Sequence, residues 1–251
     1  MSVSCSVRFG VRYVVLATAL IAGLVPASAM AAPPTLMGET LSALDPVVTG
    51  TCDPSATSTI SFRAAGFPFG PYETPYPYDT GSFTETGTAT VGHQPEYQGG
   101  GAFPTGELTA FSATFSIETP EATITGTKTM DASSRGSGIC QEVSGDPDIG
   151  NAKFVSADVT GLQYEARIVT AEGTFVDLGT SYVHVDTFTT DLGFPFATFS
   201  ETFESALAEP MRIPTDAEEC KDGDYLDFPA LDFKNQGECV AYVVRSTPGG
   251  S

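Results

Sequence analysis

Gly81-Ser82-Phe83-Thr84-Glu85-Thr86-Gly87-Thr88-Ala89-Thr90-Val91 returns later in the chain as Gly173-Thr174-Phe175-Val176-Asp177-Leu178-Gly179-Thr180-Ser181-Tyr182-Val183. The shared pattern is G-[ST]-F-x-[ED]-x-G-T-x-x-V. Upstream, Ile60-x-Phe62-x-Ala64 is echoed by Leu162-x-Tyr164-x-Ala166; downstream, Ala113-Thr114-Phe115-Ser116 is echoed by Ala197-Thr198-Phe199-Ser200. Three matches in one order predict a duplicated strand unit, with extra residues in the turn of the first copy. Each copy would be a small sheet unable to bury its apolar face alone, so packing the two together makes one core. Gly87 and Gly179, inside strand-like runs, are expected to mark bulges or bends that curve a sheet toward closure.

Around this repeat, residues 58–204 are rich in Thr, Val, Phe, Tyr and Gly, in short runs broken by turn residues. Ala110-Phe111-Ser112-Ala113-Thr114-Phe115-Ser116-Ile117 and Leu162-Gln163-Tyr164-Glu165-Ala166-Arg167-Ile168-Val169 alternate apolar and polar residues over part of their length. That is the period of a half-buried strand. No stretch here sustains a capped helical period. The expectation is an all-β protein: a single antiparallel β-sandwich or barrel of roughly eight or nine strands. Its domain spans 50–208, with pseudo-repeats at 58–130 and 153–205, preceded by an extended tail at 32–49. Residues 67–78 form a Pro-Tyr loop, and residues 92–106, with a triple glycine, are expected to be a mobile connection.

Residues 1–31 read as a secretory signal peptide. Arg8 and Arg12 precede the uncharged stretch Val14 to Val25, and Ala29-Met30-Ala31 offers a small-x-small cleavage site. Twelve apolar residues are too few to span a bilayer, which needs ~20. The leader takes two of the 11 bases and none of the 31 acids, so the remaining chain has 9 against 31, or −22. Such a charge repels nucleic acid and anionic lipid. It leaves cell-surface material or a basic partner as the partner classes, with no membrane insertion. Cys5 falls in the leader, leaving Cys52, Cys140, Cys220 and Cys239, an even count that predicts two disulfides in an exported chain. Of the three connectivities, Cys52–Cys140 and Cys220–Cys239 each close a loop within one region.

The C-terminal segment, 209–245, is of another kind, with residues 246–251 a disordered tail. Thr215-Asp216-Ala217-Glu218 has the capping-box form that starts a short helix. Glu238 to Val244 reads as a second helix or a strand. A disulfide would staple these pieces around Phe228, Leu231 and Phe233. The stretch Cys220-Lys221-Asp222-Gly223-Asp224-Tyr225 through Phe233-Lys234-Asn235-Gln236-Gly237-Glu238-Cys239-Val240 resembles the C…GGW…F-K-N-Q-G-x-C-V ending of uncharacterised secreted bacterial proteins. Asp224-Tyr225 stands where that family has Gly-Trp. The resemblance implies export and a Cys220–Cys239 staple, and no activity.

Catalytic signatures are sparse. There is no G-x-S-x-G elbow, no phosphate-cradling glycine motif and no close Cys spacing for a metal, so no catalytic residue, cofactor or metal site is assigned. His184 lies in Tyr182-Val183-His184-Val185-Asp186, where the polar trio shares one strand face and is expected to meet solvent. Asp146-Pro147-Asp148 and Asp222-Gly223-Asp224 read as acidic turns rather than Ca²⁺ loops. Trp is absent, so Tyr72, Tyr76 and Tyr78 are the candidate ligand-binding loop. The leading expectation is a secreted, acidic, non-catalytic binding or cell-exterior protein. The competing one is a secreted β-barrel enzyme, of hydrolase or isomerase type, using acidic residues or His184.

Overall fold

The computed structural model of the protein describes residues 35–246 apart from 39, 54, 70–80, 100 and 194. The leader and the Tyr72, Tyr76, Tyr78 loop therefore lie outside the described residues. The described residues form one antiparallel sheet of eleven strands. In chain order they are β1 (Thr40–Leu44), β2 (Val47–Thr51), β3 (Ser58–Phe69), β4 (Ser82–Val91), β5 (Gly106–Glu118) and β6 (Ala122–Thr129). There follow β7 (Arg135–Asp146), β8 (Gly150–Thr170), β9 (Gly173–Thr190), β10 (Phe196–Ser205) and β11 (Met211–Ile213).

The ladders close on themselves. From β9 the pairing runs through β10, β1, β3, β4, β5, β6 and β8 and back to β9. Three lanes of this ring are broken in two: β2 continues β1 along β3, β7 continues β6 along β8, and β11 continues β10 along β9. The result is an eight-lane barrel, and of the two expected architectures the barrel is the one formed. Closure removes the open edges of a sheet, and eight strands enclose a lumen that side chains can fill.

Alternation puts the apolar side chains inside. Phe62 of β3 lies 5.6 Å from Phe111 and 5.9 Å from Phe199, ring centre to ring centre, and Phe115 lies 5.3 Å from Phe203. Strands from opposite walls thus meet in one cluster that includes Leu41, Ile60, Phe83, Ile124, Val155, Leu162 and Val183. Each such side chain contributes roughly 1.5–3 kcal/mol when removed from water. The outward positions of β4 to β6 are mostly Thr and Ser, some bonded across strands, as Thr86 and Thr114 are at 3.2 Å. Apolar inside and hydroxylated outside is the reverse of a lipid-facing barrel.

Two of the three sequence echoes occupy equivalent ladder positions. Phe62 pairs with Gly87 in β3–β4 as Tyr164 pairs with Gly179 in β8–β9, and Ala64 pairs with Glu85 as Ala166 pairs with Asp177. The third does not hold: Ala113 stands opposite Gly87, whereas Ala197 stands opposite Thr187, far along β9 from Gly179. The two glycines are not bulges, because the β3–β4 and β8–β9 ladders pass through them in register. A Cβ at Gly87 would stand 2.5 Å from the Phe62 ring opposite, and one at Gly179 would stand 2.1 Å from the Glu204 carbonyl oxygen of β10 and 2.8 Å from the Tyr164 ring. The bend in long β8 sits instead at Gly161, φ +70°, where the register with β9 shifts between Val159 and Leu162. Gly87→Ala should therefore cost about 1–3 kcal/mol as an overpacking change. Urea unfolding checks this, and Phe62→Leu in the same chain should restore part of the loss.

Three further expectations are revised. The stretch 32–49, read as a tail, supplies β1 and most of β2, and buries Leu36 and Leu41. The 92–106 connection is pinned to the barrel. Gln94 Oε1 accepts from the Cys140 amide at 3.1 Å, Gln141 Nε2 donates to the Pro95 and Pro104 carbonyls, and Tyr97 stacks on Phe103 at 4.5 Å. The segment from 209 begins inside the sheet, as β11.

Both disulfides form as Cys52–Cys140 and Cys220–Cys239. The second holds a cluster of Phe228 and Val243 between three short 3-10 turns and α1 (Gln236–Ser246). At the first turn the Asp216 carboxylate, rather than Thr215, accepts the Glu218 and Glu219 amides, while Glu219 reaches back to Thr215. Residues 238–244 are helical, and Asn235 Oδ1 caps that helix on the Glu238 amide.

Candidate functional site

The outer face of β8, β9 and β10 differs from the hydroxylated face of β4 to β6. Register stacks its residues in rungs. Phe154, Phe188 and Phe196 form one; Ser156, Asp186 and Thr198 the next; Asp158, His184 and Ser200 the third; and Tyr182 with Thr202 the fourth. Phe188 lies 5.6 Å from Phe196 and 6.0 Å from Phe154, and Phe103 from the pinned connection adds a ring 5.2 Å from Phe154. Tyr97 extends the ledge beyond Phe103. Phe196 is 46% exposed and Tyr182 40%. The other rings of the ledge, Phe103, Phe154, Phe188 and Tyr97, are half-buried, and Tyr182 stands three rungs from Phe188. Partly uncovered aromatic faces are where further burial gains most.

Beside the ledge sits the His184 cluster. His184 Nδ1 is 2.7 Å from Asp158 Oδ1, Tyr182 donates its hydroxyl to the same oxygen at 2.9 Å, and His184 Nε2 lies 3.5 Å from Asp186 Oδ2. Thr198 donates to Asp186 at 2.6 Å. The trio of Tyr182, His184 and Asp186 does face outward, as the alternation of β9 requires. Its organising partner is Asp158 of β8, which sequence adjacency could not indicate. The hydrogen bond to Asp158 raises the His184 pKa, partial burial opposing it, and the same bond holds the Asp158 carboxyl below its usual range.

The sign of the resulting pH dependence is fixed. A histidine raised in the folded state adds stability that is complete below its unfolded pKa, about 6.5, and is lost as pH rises through the folded value. The lowered Asp158 adds stability present above its unfolded pKa, about 3.9, and lost as pH falls through the folded value. The pair should thus stabilise most between about pH 4 and 6.5; Asp158→Asn should lower the melting temperature within that window and flatten its fall on either side of it. NMR titration of His184 in the variant should return it toward its ordinary value.

The acidic residues that converge do so inside the barrel. Lys128 Nζ contacts Glu85 Oε2 at 2.6 Å and also Glu201 Oε2, and all three side chains are fully buried. The ammonium lies over the rings of Phe115, at 4.7 Å, and Phe203, at 5.1 Å. Burial first, then the neighbouring Glu201, pushes the Glu85 carboxyl well above the carboxylate range, against the pull of Lys128. Nearby, Asp177 accepts from the Leu36 amide at 3.0 Å, from Tyr164 at 3.2 Å and from Ser205. Two carboxyls beside an amine would be acid–base machinery in an open cleft. Here the side chains have no solvent exposure, so no diffusing substrate meets them. At the surface, His184 turns Nε2 toward Asp186, at 3.5 Å.

Asp146 accepts the Asp148 and Ile149 amides and so closes the β7–β8 turn, and among the described residues no group of three or more His, Cys, Asp or Glu side chains is arranged to hold a metal ion. Among them, too, no helix is long and apolar enough to cross a membrane. No family model, curated protein or solved structure matches the chain.

Proposed function

We propose that the protein is an exported, non-catalytic binding protein of the cell exterior, and that it grips neutral, hydroxyl-rich polymer through the outer face of β8–β10. The observation that carries this reading is the rung of Phe154, Phe188 and Phe196, continued by Phe103, with Asp186, Thr198, His184 and Tyr182 beside it. Aromatic faces stack on the apolar faces of sugar rings, and adjacent polar groups hydrogen-bond the hydroxyls, the division of labour typical of such sites. The net charge of the chain disfavours an anionic polymer. The two disulfides suit an oxidising compartment, in keeping with the leader.

Isolated insoluble cell-wall polysaccharide is the probe. Phe196→Ala removes one exposed ring without opening the core, and should weaken co-sedimentation by roughly three- to tenfold, the scale of one aromatic contact of ~0.5–1.5 kcal/mol. Unchanged retention of the folded variant would overturn the reading.

A further inference from the structure

The buried cluster of Lys128, Glu85 and Glu201 has the composition of a condensation site rather than of an ordinary ion pair. An amine and two carboxyls touch in a pocket walled by Phe115 and Phe203, with no solvent at any of the three side chains. Glu85 Oε1 and Glu201 Oε1 have no hydrogen-bond partner among the described residues. Charges so placed are costly, because the desolvation of each ion is recovered only where every remaining polar atom is satisfied. An amide bond would remove two of the charges and one of the unsatisfied oxygens together.

We propose that Lys128 and Glu201 condense within the folded barrel into an intramolecular amide, with Glu85 as the proton relay. The starting state has the Lys128 ammonium, the Glu201 carboxylate and Glu85 as the neutral acid, the form its surroundings favour. A proton passes from Nζ to Glu201, leaving amine and acid both neutral. Nζ then attacks Cδ of Glu201 while Glu85 protonates the carbonyl oxygen. The Glu85 carboxylate takes a proton from the new N–C centre and delivers it to one hydroxyl, which leaves as water. The last hydroxyl proton returns to Glu85 as the carbonyl reforms. One N–C bond forms, one C–O bond breaks, one water departs, and neither oxidant nor reductant is needed. Holding the reactants in place supplies an effective concentration of ~10⁵–10⁸ M, and the water-free surroundings draw the equilibrium toward loss of water. The bond ties β6 to β10, which are not neighbours in the barrel, across 73 residues of chain.

The mature protein, with its disulfides reduced and alkylated, is digested with trypsin and mapped by mass spectrometry. Lys128 should remain uncut. The peptide spanning 64–135 should be joined to the one spanning 168–212, at the summed mass less one water. Glu85→Gln keeps the shape and lacks the relay, and it should give free cleavage after Lys128, releasing 64–128, 129–135 and an unmodified 168–212. Free cleavage after Lys128 in the folded wild-type protein would overturn the proposal, whatever the variant does. A dehydrated 64–135 peptide not joined to 168–212 would overturn Glu201 as the acyl partner, since Glu85 lies in that same peptide. Cross-linking that persists in the Glu85→Gln variant would overturn the relay.

Discussion

Lys128→Met should destabilise the barrel by about 3–5 kcal/mol, the usual loss when one member of a buried charged group is removed. The cost does not come from packing, since methionine fills most of the same volume against Phe115 and Phe203. It comes from Glu85 and Glu201, which stay fully buried with no cation between them. The effect should grow with pH. Glu85 has a raised folded pKa, so its contribution is favourable below the unfolded carboxyl value, about 4.3, and is lost as pH rises through the folded one. Without Lys128 that folded value climbs further, and the variant should be closest to wild type near pH 4 and furthest from it near pH 8. For a chain of this size the melting temperature should fall by roughly 10 °C or more. An amide to Glu201 would add the loss of a cross-link to this difference. A variant matching wild type at pH 8 would mean that removing Lys128 leaves no uncompensated carboxylate in the interior.

The second large effect is expected at Cys52–Cys140. The bridge closes a loop of 88 residues, for which chain entropy gives about 4–5 kcal/mol. Its place in the fold matters as much as its length. Among the described residues β2 pairs only with β3, so one edge of β2 is left without a ladder, and the disulfide fastens the end of that strand to β7. Replacing both cysteines with alanine should lower the urea midpoint and make β2 the first segment to exchange amide hydrogens. A midpoint unchanged from wild type would show that the unpaired edge is held by something other than the bridge.

Both effects show how far the sequence carries. Alternation in Ala110–Ile117 and Leu162–Val169, with the repeated glycine motif, is local information, and it suffices for an all-β barrel or sandwich. The even cysteine count gave two disulfides, and their pairing followed from which cysteines share a region. Choosing the barrel needed the β8–β9 ladder, a long-range register that no local period encodes. The lumen cluster did leave a trace. Glu85 sits in phase with Phe83 and Ala89, Lys128 with Ala122 and Ile124, and Glu201 with Phe199 and Phe203. One charge on the apolar phase of each of three strands, with both signs present, is the signature of a buried pair or triad, because such a charge is otherwise too costly. The repeated acid at Glu85 and Asp177 belongs to the same class, since both are buried at matching ladder positions. The aromatic ledge left no trace. Phe154, Phe188 and Phe196 come from three strands, and only the register makes them one rung. Conversely, the glycines of the motif were legible as special, but the reason lay across the ladders, in Phe62 for Gly87 and in the Glu204 carbonyl and Tyr164 for Gly179.

Retention on isolated cell-wall polysaccharide, compared between two folded variants, separates the outer face from the lumen. Phe188→Ala with Phe196→Ala alters the face alone. Glu85→Leu, Lys128→Met and Glu201→Leu together turn the lumen apolar, a change that such cores commonly accept. The expected result is lost retention in the first and wild-type retention in the second. Retention that survives in the first and vanishes in the second would contradict an outward-facing binding protein.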